Sequence, residues 1–395
     1  MNCRCHHLQR LIDARVSYDE PTSVYLDYNA ACPPDRRILA LYQNTALKIW
    51  AHPSSPHMAG QYCQDFYAGL EEQWMEMTSH IFSSLYFCEG SSEGLLRILN
   101  EAGQQNRAVI TSSAEHNAVL DQAQKISREK NTVLTILDVD RQGKIRMDQL
   151  RKALQLHSGA LLVYSPVNHE TGAIQDCSTL WNCALDEEAL VFLDAAQGAA
   201  RMMPVDWLPY CHGFCLSGQK IYGLKGSGVI LLREELTLAD QEKGTPDLPG
   251  AAAVTEAMRL QMKGMEEQLS LWETLGAEGK KILESGSFAL EILSPPDSSA
   301  AVLCVCLPEM NKAGRTMEDL FYHLNKDGIY LSRFSACTGS VNGSSRILEA
   351  MGFPAEAQES SLRISLGRSS QRVDFFRLKK SLEYYFHQSS EGLKE

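Results

Sequence analysis

Residues 189–220 read ALVFLDAAQGAARMMPVDWLPYCHGFCLSGQK, and they contain two short apolar runs, each closing on polar residues. The first, ALVFLDAA, ends at Asp194 with Gln197 just beyond. The second, GFCLSGQK, ends at Gln219 and Lys220. Runs of this length, rich in branched and aromatic side chains, predict buried β-strands. Working outward, SSLYFCEG, RAVITSS, TVLTILDV and GALLVYSPV precede them and SGVILLR follows, so that strands alternate with helical segments from Ser83 to Arg233. That alternation predicts an α/β fold with a mostly parallel seven-stranded sheet covered by helices on both faces. Met58, Tyr62, Phe66, Leu70, Trp74, Met77 and Ile81 recur at helical spacing ahead of the sheet and predict one apolar, core-facing helix side.

The texture changes at residues 245–250, TPDLPG. Beyond it the pattern predicts a long helix over 251–284 and strands at FALEIL and AVLCVCL. A helix from Met317, strands at IYLSRFSAC and LRISLGR, and a C-terminal helix complete it. Two domains follow: a large one over 23–255 and a smaller α/β one over 256–395, with residues 1–22 expected to pack on the latter. Cys304 and Cys306 alternate within an apolar run and read as buried strand positions.

Composition narrows the function classes. A net charge of −12 gives no basic footprint for nucleic acid, and no apolar run approaches a bilayer's thickness. The first 20 residues lack the apolar core of a secretory signal, so cytoplasmic residence is expected. Twelve cysteines scattered along such a chain read as reduced thiols. Cys3, Cys5, His6 and His7 form half of a metal-ligand pattern with no matching half elsewhere, and no metal is expected.

In a parallel α/β sheet, ligands bind beyond the carboxyl ends of the strands, so those ends are where chemistry should collect. After YFCE come Gly90, Ser91 and Ser92, opening a helix whose free N–H groups suit a phosphate. After AVITSS come Glu115 and His116. After LLVYSPV comes the polar cluster Asn168-His169-Glu170-Thr171-Gly172. Asp194 ends a buried strand and calls for a cationic partner, such as a protonated pyridine nitrogen. Lys220 at the next strand end suits an imine-forming amine.

With those residues in order, the sequence resembles a cysteine desulfurase of the class V aminotransferase group of fold-type I pyridoxal-phosphate enzymes. The likeness runs from Tyr25-Leu26-Asp27-Tyr28-Asn29-Ala30-Ala31 through His52-Pro53-Ser54-Ser55-Pro56-His57 to Leu362-Arg363-Ile364-Ser365-Leu366-Gly367-Arg368. The resemblance implies pyridoxal 5'-phosphate as cofactor and Lys220 as the lysine that holds it. His116 would stack on the pyridine ring and assist proton transfer, Asp194 would pair with its nitrogen, and Gln197 would bond the ring hydroxyl. Ser92 and Ser217 would take the phosphate with the Ser91 backbone, and Thr245 would reach the partner subunit's phosphate. His169 and Gln219 stand where the family has Asn and His. The substrate L-cysteine would be bound by Arg363 and Asn29, and Cys337, in Ser335-Ala336-Cys337-Thr338, would accept its sulfur. A homodimer and a sulfur-acceptor protein, such as an iron–sulfur scaffold, are the implied partners. Only about a dozen residues separate the strand ending at Leu232 from Gly244, where the family carries a longer glycine-rich stretch. Two other readings stay open. One is a different class V pyridoxal enzyme: a selenocysteine lyase, an aminotransferase or an epimerase. The other is a non-catalytic paralogue that keeps the fold.

Overall fold

The computed structural model describes residues 23–239, 245–311, 315–333 and 344–391. Cys337, the terminal Cys3-Cys5-His6-His7 cluster and residues 1–22 lie outside the described residues. Among the described residues twelve strands are present: β1 (Val24–Tyr25), β2 (Ser84–Cys88), β3 (Val109–Ser112), β4 (Leu134–Leu137), β5 (Leu161–Tyr164) and β6 (Leu190–Asp194). They continue with β7 (Gly213–Ser217), β8 (Gly228–Leu232), β9 (Glu291–Ile292), β10 (Val302–Cys306), β11 (Ile329–Tyr330) and β12 (Ser361–Ser365). The main sheet has seven strands in the order β2-β8-β7-β6-β5-β3-β4. Strand β8 runs antiparallel to both of its neighbours, and the other pairings are parallel.

The central strands read as unbroken apolar runs because both of their faces are covered. In β6, Val191 and Leu193 join one core while Leu190 and Phe192 join the other; in β8, Val229 and Leu231 oppose Ile230 and Leu232 in the same way. Helices Ser91–Gln104 and Asn117–Lys130 supply the core on one face, through Leu95, Ile98, Val119 and Ile126. Trp74, Leu150, Leu180 and Val254 fill the other. Trp74 is fully buried, and its indole N–H donates to Thr255 Oγ1 at 2.9 Å. The helix Met58–Met77 forms as the spacing predicts, but its inner face differs. Met58 and Tyr62 are exposed, and Gly60, Cys63, Leu70 and Trp74 are the buried positions. Gly60 lies against Ser55 and the His52 carbonyl, and the helix's apolar core contacts begin at Cys63.

A second core gathers around β10 and β12, an antiparallel pair that β9 extends. Cys304 and Cys306 are buried on β10, as their alternation predicts. The helix Leu248–Glu284 runs 37 residues and serves both cores, through Val254, Ala257 and Met258 at one end and Trp272, Leu275, Ile282 and Leu283 at the other. Val24 and Leu26 also pack in the second core, where β1 pairs with β11. Among the described residues no helix is long and apolar enough to cross a membrane. Replacing Trp74 with Ala removes a fully buried indole and leaves the Thr255 hydroxyl oxygen without the N–H it accepts from, and should cost about 3–5 kcal/mol in a chemical-denaturation midpoint analysis.

Candidate active site

The carboxyl ends of β3, β5, β6 and β7 converge on a cavity of about 200 Å³. Its lining includes Asn29, Ser91, Ser92, His116, His169, Asp194, Gln197, Ser217, Gln219, Lys220 and Arg363. Among the described residues given cofactor or substrate roles from sequence, Thr245 alone is not among these, and Cys337 lies outside the described residues. Thr245 is exposed, two residues ahead of Asp247, which caps the long helix by accepting from Gly250 N at 3.0 Å. Four further residues complete the setting without having been given roles from sequence: Asp27, Glu115, Ser165 and Glu170.

Lys220 ends the turn that leaves β7, and its Nζ donates to the carbonyls of Asn29 and Ala30, both at 2.7 Å. Burial, then the nearby Arg363 charge, holds its ammonium below the ordinary lysine range. Asp194 is buried at the end of β6, where its Oδ1 accepts from Ala196 N at 3.2 Å. Burial pushes its carboxyl upward, opposed by the facing His116 and by Lys220. His116 caps the helix Asn117–Lys130: its Nδ1 accepts from Ala118 N at 3.0 Å, which assigns the neutral ring's proton to Nε2. Burial depresses its pKa, and burial with the neighbouring His116 depresses that of His169 further. The two rings meet edge to face, 4.8 Å between centroids.

At the other end of the cavity the helix Ser91–Gln104 begins. Ser217 Oγ accepts from Ser91 N at 2.8 Å and lies 3.1 Å from Ser91 Oγ. Gly90, at φ +147°, leaves this N-terminus bare, since a Cβ there would meet Ser217 Oγ at 2.9 Å. Backbone donors, two serine hydroxyls and a dipole end together suit a phosphate. Gln197 donates from Nε2 to Asn29 O at 3.0 Å. Asn29 Nδ2 donates to His169 O at 3.0 Å, while its buried Oδ1 has no hydrogen-bond partner among the described residues. Arg363 on β12 is 1% exposed and donates to Asp27 Oδ1 at 2.8 Å and to His169 O at 3.1 Å.

An amine of lowered basicity, a buried acid that lacks a full complement of charge, an open-ended hydroxyl cradle and an orphaned amide oxygen fit a phosphorylated, protonated pyridine aldehyde. These are the binding elements of a fold-type I pyridoxal enzyme. Residues 24–241 match the family described as aminotransferase class-V, and the chain belongs to that family. Curated relatives include "Putative cysteine desulfurase IscS 1" of Bacillus subtilis, 27% identical over 369 residues, covering 89% of this chain and 95% of that protein. Another is the "IscS-like cysteine desulfurase" of Mycobacterium tuberculosis, 27% identical over 372 residues, with 89% and 93% covered. Among solved structures, a "NIFS-LIKE PROTEIN" superposes with a TM-score of 0.81 at 22% identity, covering 92% of this chain and 99% of that one.

Glu115 lies beneath this floor, fully buried. Its Oε1 accepts from Ser112 Oγ at 2.8 Å, and its Oε2 accepts from Ser165 Oγ at 2.6 Å and Ser165 N at 3.0 Å. Three donors do not offset its burial, and the carboxyl is pushed up to about 7. A carboxyl that holds its proton more tightly when folded loses stabilising protonation as pH rises from its unfolded value near 4.5 towards 7. Unfolding free energies of the protein and of Glu115→Gln should therefore diverge across that window. The wild type should lose stability with rising pH relative to the amide variant, which cannot ionise.

Proposed function

We propose that this chain is a pyridoxal-phosphate-dependent cysteine desulfurase that takes sulfur from L-cysteine, releases L-alanine and carries the sulfur as a persulfide on Cys337. The observation that carries the reading is the placement of Lys220 and Asp194 at adjacent strand ends in one cavity with Arg363. The relatives named as cysteine desulfurases support the substrate assignment. In the two-domain reading, residues 23–255 hold the cofactor and residues 256–395 carry the Cys337 segment.

The bound cofactor supplies an electron sink for charge that develops at the substrate's α-carbon. Ser91, Ser92, Ser217 and Gln219 would hold its phosphate, Gln197 and His169 would border its ring oxygen, and His116 would cover its face. Asp194 keeps a proton on its ring nitrogen, because a buried carboxylate favours a cation beside it. Arg363, assisted by Asn29, binds the substrate carboxylate, for which a planar guanidinium is shaped. The lowered basicity of Lys220 favours its neutral amine, which could take the α-proton and return it. The Cys337 thiolate then bonds to the substrate sulfur as the carbon–sulfur bond breaks. The electron pair of that bond stays with the substrate carbon, which is protonated to give alanine. The persulfide passes to an acceptor protein, with an iron–sulfur scaffold as the favoured class. A homodimer, in which Thr245 contacts the neighbouring site, and cytoplasmic residence complete the proposal.

Protein loaded with pyridoxal 5'-phosphate should be yellow, and borohydride should fix the cofactor to the peptide containing Lys220. Lys220→Ala should lose both signals, and a reducible covalent cofactor in that variant would overturn the assignment. Cys337→Ala should keep the colour and its response to cysteine while alanine release falls to a small fraction of the wild-type rate. Full alanine production by that variant would favour a different class V reaction.

A further inference from the structure

We infer that Asp27 is a positioning residue for the substrate carboxylate: it fixes the pose of Arg363 and, as a competing anion, limits how tightly that arginine grips an incoming carboxylate. The inference rests on the proposed role of Arg363 as the carboxylate site.

Arg363 is one of the largest fully buried side chains in the protein. An isolated guanidinium in such a place is costly, and Asp27 offsets the cost with an ion pair at 2.8 Å. Asp27 itself is not free to move. Its Oδ2 accepts from Ser332 Oγ at 2.6 Å. Its backbone bridges Ser365, and Arg363 N donates to Ser332 O at 2.7 Å, so both partners hang on the same strand framework. Asp27 is absent from the cavity lining while Arg363 is part of it. The acid therefore stands behind the arginine and acts on a ligand through it. Among the described residues the buried Nε of Arg363 has no hydrogen-bond partner, a donor left over once Asp27 and His169 O are served.

The two effects of Asp27 have opposite signs. Its geometry presents the guanidinium in one orientation, which favours binding, because less freedom is lost when a ligand arrives. Its charge already neutralises the guanidinium, which disfavours a second carboxylate close by. Asparagine separates them. Its Oδ1 can still accept from Arg363 Nη2, and its amide can donate to the Ser332 hydroxyl, so the pose is kept while the negative charge is removed. Alanine removes both and leaves a buried charge without its partner.

The test is a calorimetric titration of the cofactor-loaded protein with L-alanine, which has the amine and carboxylate but no thiol, and with ethylamine, which lacks the carboxylate. In Asp27→Asn the dissociation constant for alanine should fall about tenfold, the scale of relieving one nearby like charge at a partly solvated site. That for ethylamine should stay the same. Asp27→Ala should weaken alanine binding. Ser332→Ala, which leaves the ion pair but loosens its mooring, should weaken it less. In an Arg363→Gln background Asp27→Asn should have no effect, because the acid acts only through the arginine. A merely structural Asp27 predicts weaker or unchanged alanine binding in the asparagine variant. That result, or an equal change for ethylamine, would overturn the inference. The Ser332→Ala and Asp27→Ala titrations decide the matter if the asparagine variant does not fold: unchanged alanine affinity in Ser332→Ala overturns the positioning role. Failure of the wild-type protein to take up the cofactor would instead remove the proposed function and this inference with it, an outcome distinct from a cofactor-loaded protein whose Asp27 variants behave like wild type.

Discussion

The segment from Asp27 to Ala31 is the constraint on which the site depends. Two cations are drawn out of water at the cavity, and this one stretch of backbone and side chain supplies acceptors to both. The carbonyls of Asn29 and Ala30 receive Lys220, and the Asp27 carboxylate receives Arg363. The same stretch takes the Gln197 amide and sends the Asn29 amide to His169 O. Buried charge needs a partner at hydrogen-bonding distance or it will not stay charged. A shift of the segment by a single residue would orphan both cations at once, so the sheet, the long helix and the second core can be viewed as the means of holding five residues still.

Within that setting three carboxyls are treated differently by their surroundings. Asp27 is paired with a guanidinium. Glu115 is ringed by neutral donors and drifts towards neutrality. Asp194 has a backbone donor and an imidazole for company, and burial raises it while its neighbours pull it back. An acid that is dry and incompletely matched is a natural seat for a cationic heterocycle, whereas an acid already matched acts on a ligand through its partner. His116, whose basicity burial lowers and whose ring the cap bond fixes, adds a flat surface to the same cavity.

The strand framework was legible in the sequence because burial on both faces leaves long apolar runs, and polar clusters recurring at successive strand ends mark one edge of the sheet as a candidate site. Lys220, Asp194, His116 and Ser91 could be picked out on that ground alone. The reversed direction of β8 had no such signature, since an apolar run reads the same in either sense. Arg363 and Asp27 lie 336 positions apart, and Ser345 meets Glu170 across 175, so no local pattern records either pairing. Nor does spacing tell that Glu115 turns inward to Ser112 and Ser165, or that Met58 and Tyr62, in register with a buried helix face, look outward. Thr245 and Cys337 owe their roles to resemblance, and their roles remain those of the proposal.

The strand that carries this segment also fixes when the site can exist. β1 is held by β11 at residues 329–330, and Asp27 and Asn29 are tied to Ser365 on β12. On a ribosome, the strands bearing Asp194 and Lys220 emerge more than a hundred residues ahead of β12, and they can pair as soon as they appear. The edge that receives Lys220 cannot be set until β12 has followed. A nascent or truncated product that stops short of β12 lacks both Arg363 and the strand to which Asp27 and Asn29 are tied, so the sheet can form before the cavity is closed.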